Sequence, residues 1–224
     1  MIPGPAIVYK CPNCGNFCQR GSLTSGNTGG ARFYSDGSMQ AVMLPEFPAI
    51  TKCKKCEKFY WLDNDNKAGS YGGGWFYDSR KDKVTPKQWL EADLARLLPV
   101  EELQEAVDAK AYGDSSENEM YLRKRLWWGL NDKADRRDAE PLTKSITVQY
   151  AENCHGLIAL LLVEGEEMSD GRRLMVAELC RNMEMFDVCE EVLRTIKGPE
   201  LREIVDALIG ECKRKNRYVV LLDR

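Results

Sequence analysis

The alternation of hydrophobic and polar residues changes rhythm part-way along this 224-residue chain. Up to about residue 80 the apolar residues come in short runs broken by glycine, proline and polar clusters. Ala31-Arg32-Phe33-Tyr34 and Met39-Gln40-Ala41-Val42-Met43-Leu44 flank Ser35-Asp36-Gly37-Ser38. An Asp-Gly pair between two such runs predicts a β-hairpin, with Pro45 and Pro48 ending its second strand. Phe59-Tyr60-Trp61 predicts another strand. From Thr85 onward apolar residues recur at helical spacing, as in Ala151, Cys154, Ile158, Leu161 and Leu162, or Leu201, Ile204, Val205, Leu208 and Cys212. Thr85-Pro86-Lys87-Gln88 and Ser116-Glu117-Asn118-Glu119 read as capping boxes, and Pro99, Pro141 and Pro199 stand where helices begin. These signals predict helices over 86–97, 100–111, 117–130, 141–163, 171–182, 186–196 and 199–214.

The fold class expected is therefore α+β: a small β-rich N-terminal unit over residues 1–80, then an all-α helical-hairpin unit over 81–224. Composition changes at the same place. Residues 1–80 hold 11 of the 18 glycines and carry net +3, while residues 81–224 carry net −6. Gly72-Gly73-Gly74 and Asp78-Ser79-Arg80-Lys81-Asp82-Lys83 mark the seam. The longest apolar stretch, Leu157 to Val163, is far short of the ~20 residues that span a bilayer and reads as a buried helix segment, so no membrane role is expected.

The strongest chemical signal is a pair of Cys-x-x-Cys motifs. Cys11-Pro12-Asn13-Cys14 is followed by Gly15, and Cys53-Lys54-Lys55-Cys56 by Glu57. Two intervening residues let both sulfurs of a tight turn point inward while backbone N–H groups turn toward them. Four such thiolates complete a tetrahedral shell, so Cys11, Cys14, Cys53 and Cys56 are expected to hold one structural Zn²⁺ per chain. Gly15 suits its turn; Glu57 departs from the regular form. The 38 residues between the pairs exceed the commonest spacing, so the ribbon must carry an insertion. Disulfides are the weaker alternative. Nine cysteines are an odd number and Met1-Ile2-Pro3-Gly4 has no secretory pattern, which points to a reducing cytoplasm. The same four-sulfur shell holds one iron in rubredoxin-like electron carriers, a further alternative. Cys18 is not needed as a ligand. Cys154, Cys180, Cys189 and Cys212 lie on apolar faces and read as core.

Lys10, Lys52, Lys54, Lys55 and Lys58 crowd the two motifs. They offset the −2 charge of a zinc tetrathiolate, or form a nucleic-acid surface. The polar Ser22–Gly30 stretch lacks the pattern of a phosphate-binding loop and reads as structural. Residues 170–201 resemble one tetratricopeptide-type hairpin. Val176, Ala177 and Cys180 lie on its first helix, Phe186-Asp187 at the turn, and Cys189, Leu193 and Ile196 on the second; Glu184 stands where that repeat usually has glycine, and one hairpin in an irregular bundle is the equal alternative.

Taken together, Cys11-Pro12-Asn13-Cys14-Gly15, Ser25-Gly26-Asn27-Thr28, Ala31 to Gly37, Met43-Leu44-Pro45, Lys52 to Cys56 with Phe59 to Leu62, Tyr121 to Trp128 with Asn131-Asp132, and the 176–193 hairpin resemble a bacterial family with no assigned activity. That family joins an N-terminal zinc ribbon to a C-terminal tetratricopeptide-like region. The resemblance implies architecture and metal ligands, and brings no catalytic residue.

Nothing in the remaining sequence points to catalysis. His155 is the only histidine, it follows Cys154 on an apolar helix and reads as a core residue, and Glu166-Glu167 and Glu190-Glu191 read as solvated charge. Recognition is better supported. Trp127 and Trp128 diverge by about 100° on a helix, and Arg123, Lys124, Arg125, Lys133, Arg136 and Arg137 surround them. Trp127, Trp128, Arg123 and Arg125 are thus candidate partner-binding residues. The competing reading, which is preferred, is a wide apolar face against the ribbon unit, with Asp132, Asp135 and Asp138 balancing the cations. A protein partner is expected ahead of nucleic acid, because the overall pI is near 5.5.

Overall fold

The computed structural model describes residues 1–73, 78, 82, 84–134, 144–162 and 167–222. Gly74, Ser79, Arg80, Lys81 and Lys83 of the expected seam lie outside the described residues, as do Asp135, Arg136, Arg137, Asp138, Pro141, Val163 and Glu166 and the side chains of Asp132 and Lys133. The protein is mixed α/β, with strands in its N-terminal part and helices in its C-terminal part. It divides into two compact units, residues 1–31 with 41–102 and residues 32–40 with 103–224. Two boundaries differ from the 80/81 seam. The first unit runs on to Glu102, and the 32–40 hairpin inserted in its sequence belongs to the second.

In the first unit the strand Ala6–Lys10 lies antiparallel between Phe17–Arg20 and Lys67–Tyr71. Asp93–Leu94 adds parallel to the outer edge of Phe17–Arg20. Two small antiparallel ladders accompany this sheet, Ile50–Lys52 with Phe59–Trp61 and Ile2–Pro3 with Leu23–Ser25. The helix expected over 86–97 is only the short α1, Lys87–Leu90. The reason is long-range backbone capture. Gln19 donates its side-chain amide to the Ala92 carbonyl at 2.7 Å, and the Ala95 N–H bonds the Gln19 carbonyl at 2.8 Å. These bonds draw 92–95 into the sheet against their helical propensity. The expected cap at Thr85 is also absent, because its hydroxyl donates to Asp82 at 2.6 Å. Trp89 instead fixes α1, its ring lying where Gly69 leaves room that a Cβ would fill.

The second unit is built on α3 (Ser116–Ala134), α4 (Lys144–Leu161), α5 (Asp170–Asn182), α6 (Phe186–Leu193) and α7 (Arg202–Lys213), with α2 (Val100–Asp108) leading in. Each helix from α3 to α7 packs on the next. The N-terminus of α3 is capped by Ser115, whose Oγ accepts the Asn118 N–H at 3.2 Å, one residue before the expected box. Ser169 caps α5 by accepting from Arg172 at 3.3 Å. Pro199 opens a 3₁₀ turn, Pro199–Leu201, that leads into α7. The turn from α5 to α6 places Glu184 at φ 65°, the left-handed conformation that glycine adopts at least cost.

The hairpin Arg32–Tyr34/Met39–Gln40 turns at Gly37, φ 76°, as its Asp-Gly signal predicts, but its second strand stops at Gln40. Leu221–Leu222 pairs with its first strand. Its tip explains its membership of the helical unit. Ser35 and Asp36 are buried polar residues. The Ser35 hydroxyl donates to Glu178 Oε1 at 2.7 Å, Asn131 donates to Asp36 Oδ2 at 2.9 Å, and the Trp128 indole donates to the Asp36 carbonyl at 3.0 Å. Glu178 and Arg181, both fully buried, form an ion pair at 2.6 Å. Arg181 also donates to the Asn216 carbonyl, and Asn182 to Glu178 at 3.3 Å and to the Arg217 carbonyl at 2.7 Å. A buried ion pair is tolerated only when its remaining hydrogen-bonding capacity is met; here the hairpin tip and the C-terminal tail meet it.

Candidate metal centre

Each Cys-x-x-Cys motif closes a β-hairpin, and the two hairpins are built alike. The first strand ends at Lys10, paired with Phe17, and the other ends at Lys52, paired with Phe59. The Cys11 N–H bonds the Asn16 carbonyl at 2.8 Å and the Cys53 N–H bonds the Lys58 carbonyl at 2.9 Å. Return bonds run from the Gly15 N–H to Cys11 at 2.9 Å and from the Glu57 N–H to Cys53 at 2.8 Å. Gly15 has φ 72° and Glu57 φ 58°. The departure expected at Glu57 is thus one of residue type alone: the turn keeps its shape and the glutamate takes the left-handed backbone.

The turns bring Cys11, Cys14, Cys53 and Cys56 together, with every Sγ within 4.8 Å of the others. Cys11 and Cys56 lie 3.7 Å apart, Cys14 and Cys53 3.6 Å apart. A metal with four sulfurs at about 2.3 Å would hold them about 3.8 Å apart at the corners of a tetrahedron. The four thiols therefore form a group that could bind one metal ion. Burial would push the Cys53 thiol up, but the backbone N–H groups of Cys56 and Lys55 and the neighbouring Cys14 thiol outweigh it and bring it to about 7. Burial dominates at Cys11 and raises its pKa against the N–H groups of Cys14 and Asn13. One thiol of the set is thus close to ionisation at neutral pH, which favours metal uptake with release of protons.

The cysteines also form part of the core of this unit. Cys11, Cys53, Tyr9, Cys18, Tyr60 and Leu62 are buried together, with Cys14 and Cys56 packed against them. Cys18 stays outside the group of four and accepts a hydrogen bond from the Tyr60 hydroxyl at 2.9 Å. Burial raises both its pKa and that of Tyr60, so a neutral thiol and a neutral phenol face each other. Lys10, Lys54, Lys55 and Lys58 are exposed around the centre. Lys54 is tied to Asp93 at 2.6 Å, and the Lys52 ammonium lies 5.3 Å from the Phe59 ring centre.

The candidate recognition residues sit in the helical unit and are not an open surface. Trp127 is fully buried and its indole donates to the Tyr150 hydroxyl at 3.2 Å and to Asn182 at 3.1 Å. Trp128 is half-buried, with Lys124 at 5.2 Å and Arg125 at 5.5 Å from its ring. Arg123 pairs with Glu119 at 2.7 Å and its guanidinium lies where a Cβ on Gly156 would clash. His155, expected in the core, is exposed, whereas its neighbour Cys154 is fully buried. Cys180, Cys189 and Cys212 are buried as their apolar spacing implies. The Glu178–Arg181 pair was not anticipated; its only sequence signal is two charges three residues apart on the face of α5 that also carries Ala177 and Cys180.

No protein family, no curated protein and no solved structure matches this chain. Among the described residues no helix is long and apolar enough to cross a membrane.

Proposed function

We propose that this chain is a zinc-stabilised macromolecule-binding or adaptor protein of the cytoplasm, with structural zinc at Cys11, Cys14, Cys53 and Cys56 and a protein partner taken up by the helical unit. The observation that carries it is the closed set of four thiols, which leaves a tetrahedral metal no position for water or substrate. A metal there supplies folding energy to a unit whose core includes two of its ligands, Cys11 and Cys53. Binding is then the task of the second unit. Its stack of neighbouring helices, with Glu184 taking a glycine-like turn between α5 and α6, supports a tetratricopeptide-like reading. Exposed Leu162, Met185, Val188 and Leu221 on this unit are apolar side chains suited to a protein contact.

Two measurements test this reading. Elemental analysis should find one zinc per chain in colourless protein; one iron with visible absorption would make the centre an electron carrier. Affinity capture of the full chain should then retain a protein that survives nuclease treatment and moderate salt. Sub-micromolar nucleic-acid binding that weakens steeply with salt and is lost on neutralising Lys10, Lys55 and Lys58 would transfer the function to the metal-bearing unit.

A further inference from the structure

A trough of about 640 Å³ runs between α7 and the C-terminal strand of the helical unit, lined by Leu201, Ile204, Ala207, Val220, Leu221 and Leu222. Three carboxylates, Glu200, Glu203 and Glu211, stand around it. Glu211 is engaged by Arg214 and by Asn216, the latter at 2.7 Å. Glu200 and Glu203 are exposed and make no hydrogen bond or ion pair among the described residues. They lie one helical turn apart at the same end of the trough, so their charges add there. The strand on the other side, Leu221–Leu222, is the end strand of its three-stranded sheet, with no strand on its outer side among the described residues. Leu221 is half-exposed.

Edge strands of soluble proteins are usually shielded by charge, proline or a bulge, because their free N–H and C=O groups template another strand. This one offers two leucines. From Glu200 to Glu211 the lining residues follow one face of the helix, a length of about 16 Å at 1.5 Å per residue. About five extended residues at about 3.3 Å each cover that distance.

We propose that this trough receives an extended peptide segment of a partner protein, about five residues long, with alternating apolar side chains and a lysine or arginine at the end that meets Glu200 and Glu203. The segment lies beside Leu221–Leu222 as an added strand, its main chain bonding the free edge and alternate side chains filling the space over Ile204 and Ala207. The two carboxylates, unpaired among the described residues, select the basic end and reject acidic segments. This rests on the reading of the helical unit as a protein binder and names its surface. The more apolar groove of about 530 Å³ between α4, α5 and α6 holds Met168, Met183 and Met185, but Arg173 on its rim is already paired with Asp170 at 2.9 Å. Nothing there specifies an occupant.

The test uses the full, metal-loaded chain. Random linear twelve-residue peptides are displayed and selected on it, and the enriched sequences are synthesised with a fluorescent label for anisotropy titration. The expected result is enrichment of a basic residue next to alternating valine, isoleucine or leucine. Binding should fall at least tenfold in Glu200→Lys/Glu203→Lys, and likewise when proline replaces the peptide's central residue. Both glutamates are exposed, so the melting curve of the variant should match the parent, and Glu200→Gln/Glu203→Gln should lose less than the reversal. Peptides that bind parent and charge-reversed protein equally would overturn the trough while leaving the protein-binding reading intact. A failure to enrich any peptide would also overturn it. Self-association of the chain that the reversal abolishes would assign the surface to a second copy and overturn the peptide occupant. Salt-sensitive nucleic-acid binding without any protein capture would instead sink the broader reading.

Discussion

The two units solve the burial of polar groups in opposite ways. In the first, thiols share the core: Cys11 and Cys53 are buried with Tyr9, Cys18, Tyr60 and Leu62, while Val8 and Ile50 are buried apolar residues of the same unit. In the second, large apolar residues such as Leu122, Leu126, Trp127, Leu157 and Leu179 are wholly buried and enclose an ion pair, Glu178–Arg181, whose remaining bonds are met by Ser35, Asn182 and the tail. One unit gathers thiols that could hold a metal ion in its interior; the other closes its interior with its own charges.

The largest expected effect separates them. Cys11→Ser or Cys56→Ser, or chelation, should disorder residues 6–62 and leave the helices folded, since structural zinc contributes about 10–16 kcal/mol of apparent binding energy in small zinc domains. Hydrogen exchange read unit by unit checks this; loss of protection in α3–α7 would show that the helical unit also depends on the metal.

Next in size are changes to the helical interior. Glu178→Gln leaves the Arg181 guanidinium buried without its counter-charge and should cost about 3–5 kcal/mol. Trp127→Ala should cost a similar amount through cavity formation, about 3–5 kcal/mol. Trp128→Ala should cost less, because its ring is only half-buried. Thermal melts of each variant, with metal content unchanged, give the order.

Opposite pH responses sharpen the contrast further. Acid should strip the metal first, because thiolates must protonate to leave it. Alkali should act more on the helical unit than on the first, where burial raises Cys18 and Tyr60 as well. Burial pushes the Cys154 thiol up to about 12 and raises Tyr150, Cys180, Cys189 and Cys212 as well. These groups stay neutral in the fold and ionise once unfolded. The contribution of the thiols is whole below their unfolded pKa of about 8.5 and that of Tyr150 below about 10; each falls as pH rises from there toward the raised native value, for Cys154 by about 1.4 kcal/mol per pH unit. For Cys154 the window ends near about 12. Denaturant midpoints of the helical unit at pH 7 and 10 measure this; equal midpoints would contradict it.

The smallest effects come from two glutamates. Glu57 and Glu184, one in each unit, occupy left-handed backbone. Glu57→Gly and Glu184→Gly should each stabilise their own unit by about 1 kcal/mol, glycine relieving the Cβ strain though enlarging the unfolded ensemble. A destabilised Glu184→Gly would show that its contact with Arg217 at 3.1 Å outweighs the strain.

What the sequence determined by itself is what neighbouring residues encode. Two Cys-x-x-Cys spacings specify turns that converge sulfurs, Asp36-Gly37 specifies a hairpin tip, and helical spacing of apolar residues specifies α3 to α7. Each rests on backbone geometry within a few residues, which a linear reading captures. The tertiary structure alone decided which unit owns that hairpin, because Ser35 and Asp36 are held by Glu178, Asn131 and Trp128, some 90 to 145 residues away. It also drew 92–95 into a sheet, buried Trp127 while exposing His155, and set Glu200 and Glu203 beside a strand edge with no partner among the described residues. The physical reason is the same throughout: burial and long-range hydrogen bonds depend on which distant groups arrive, and local spacing carries no record of them.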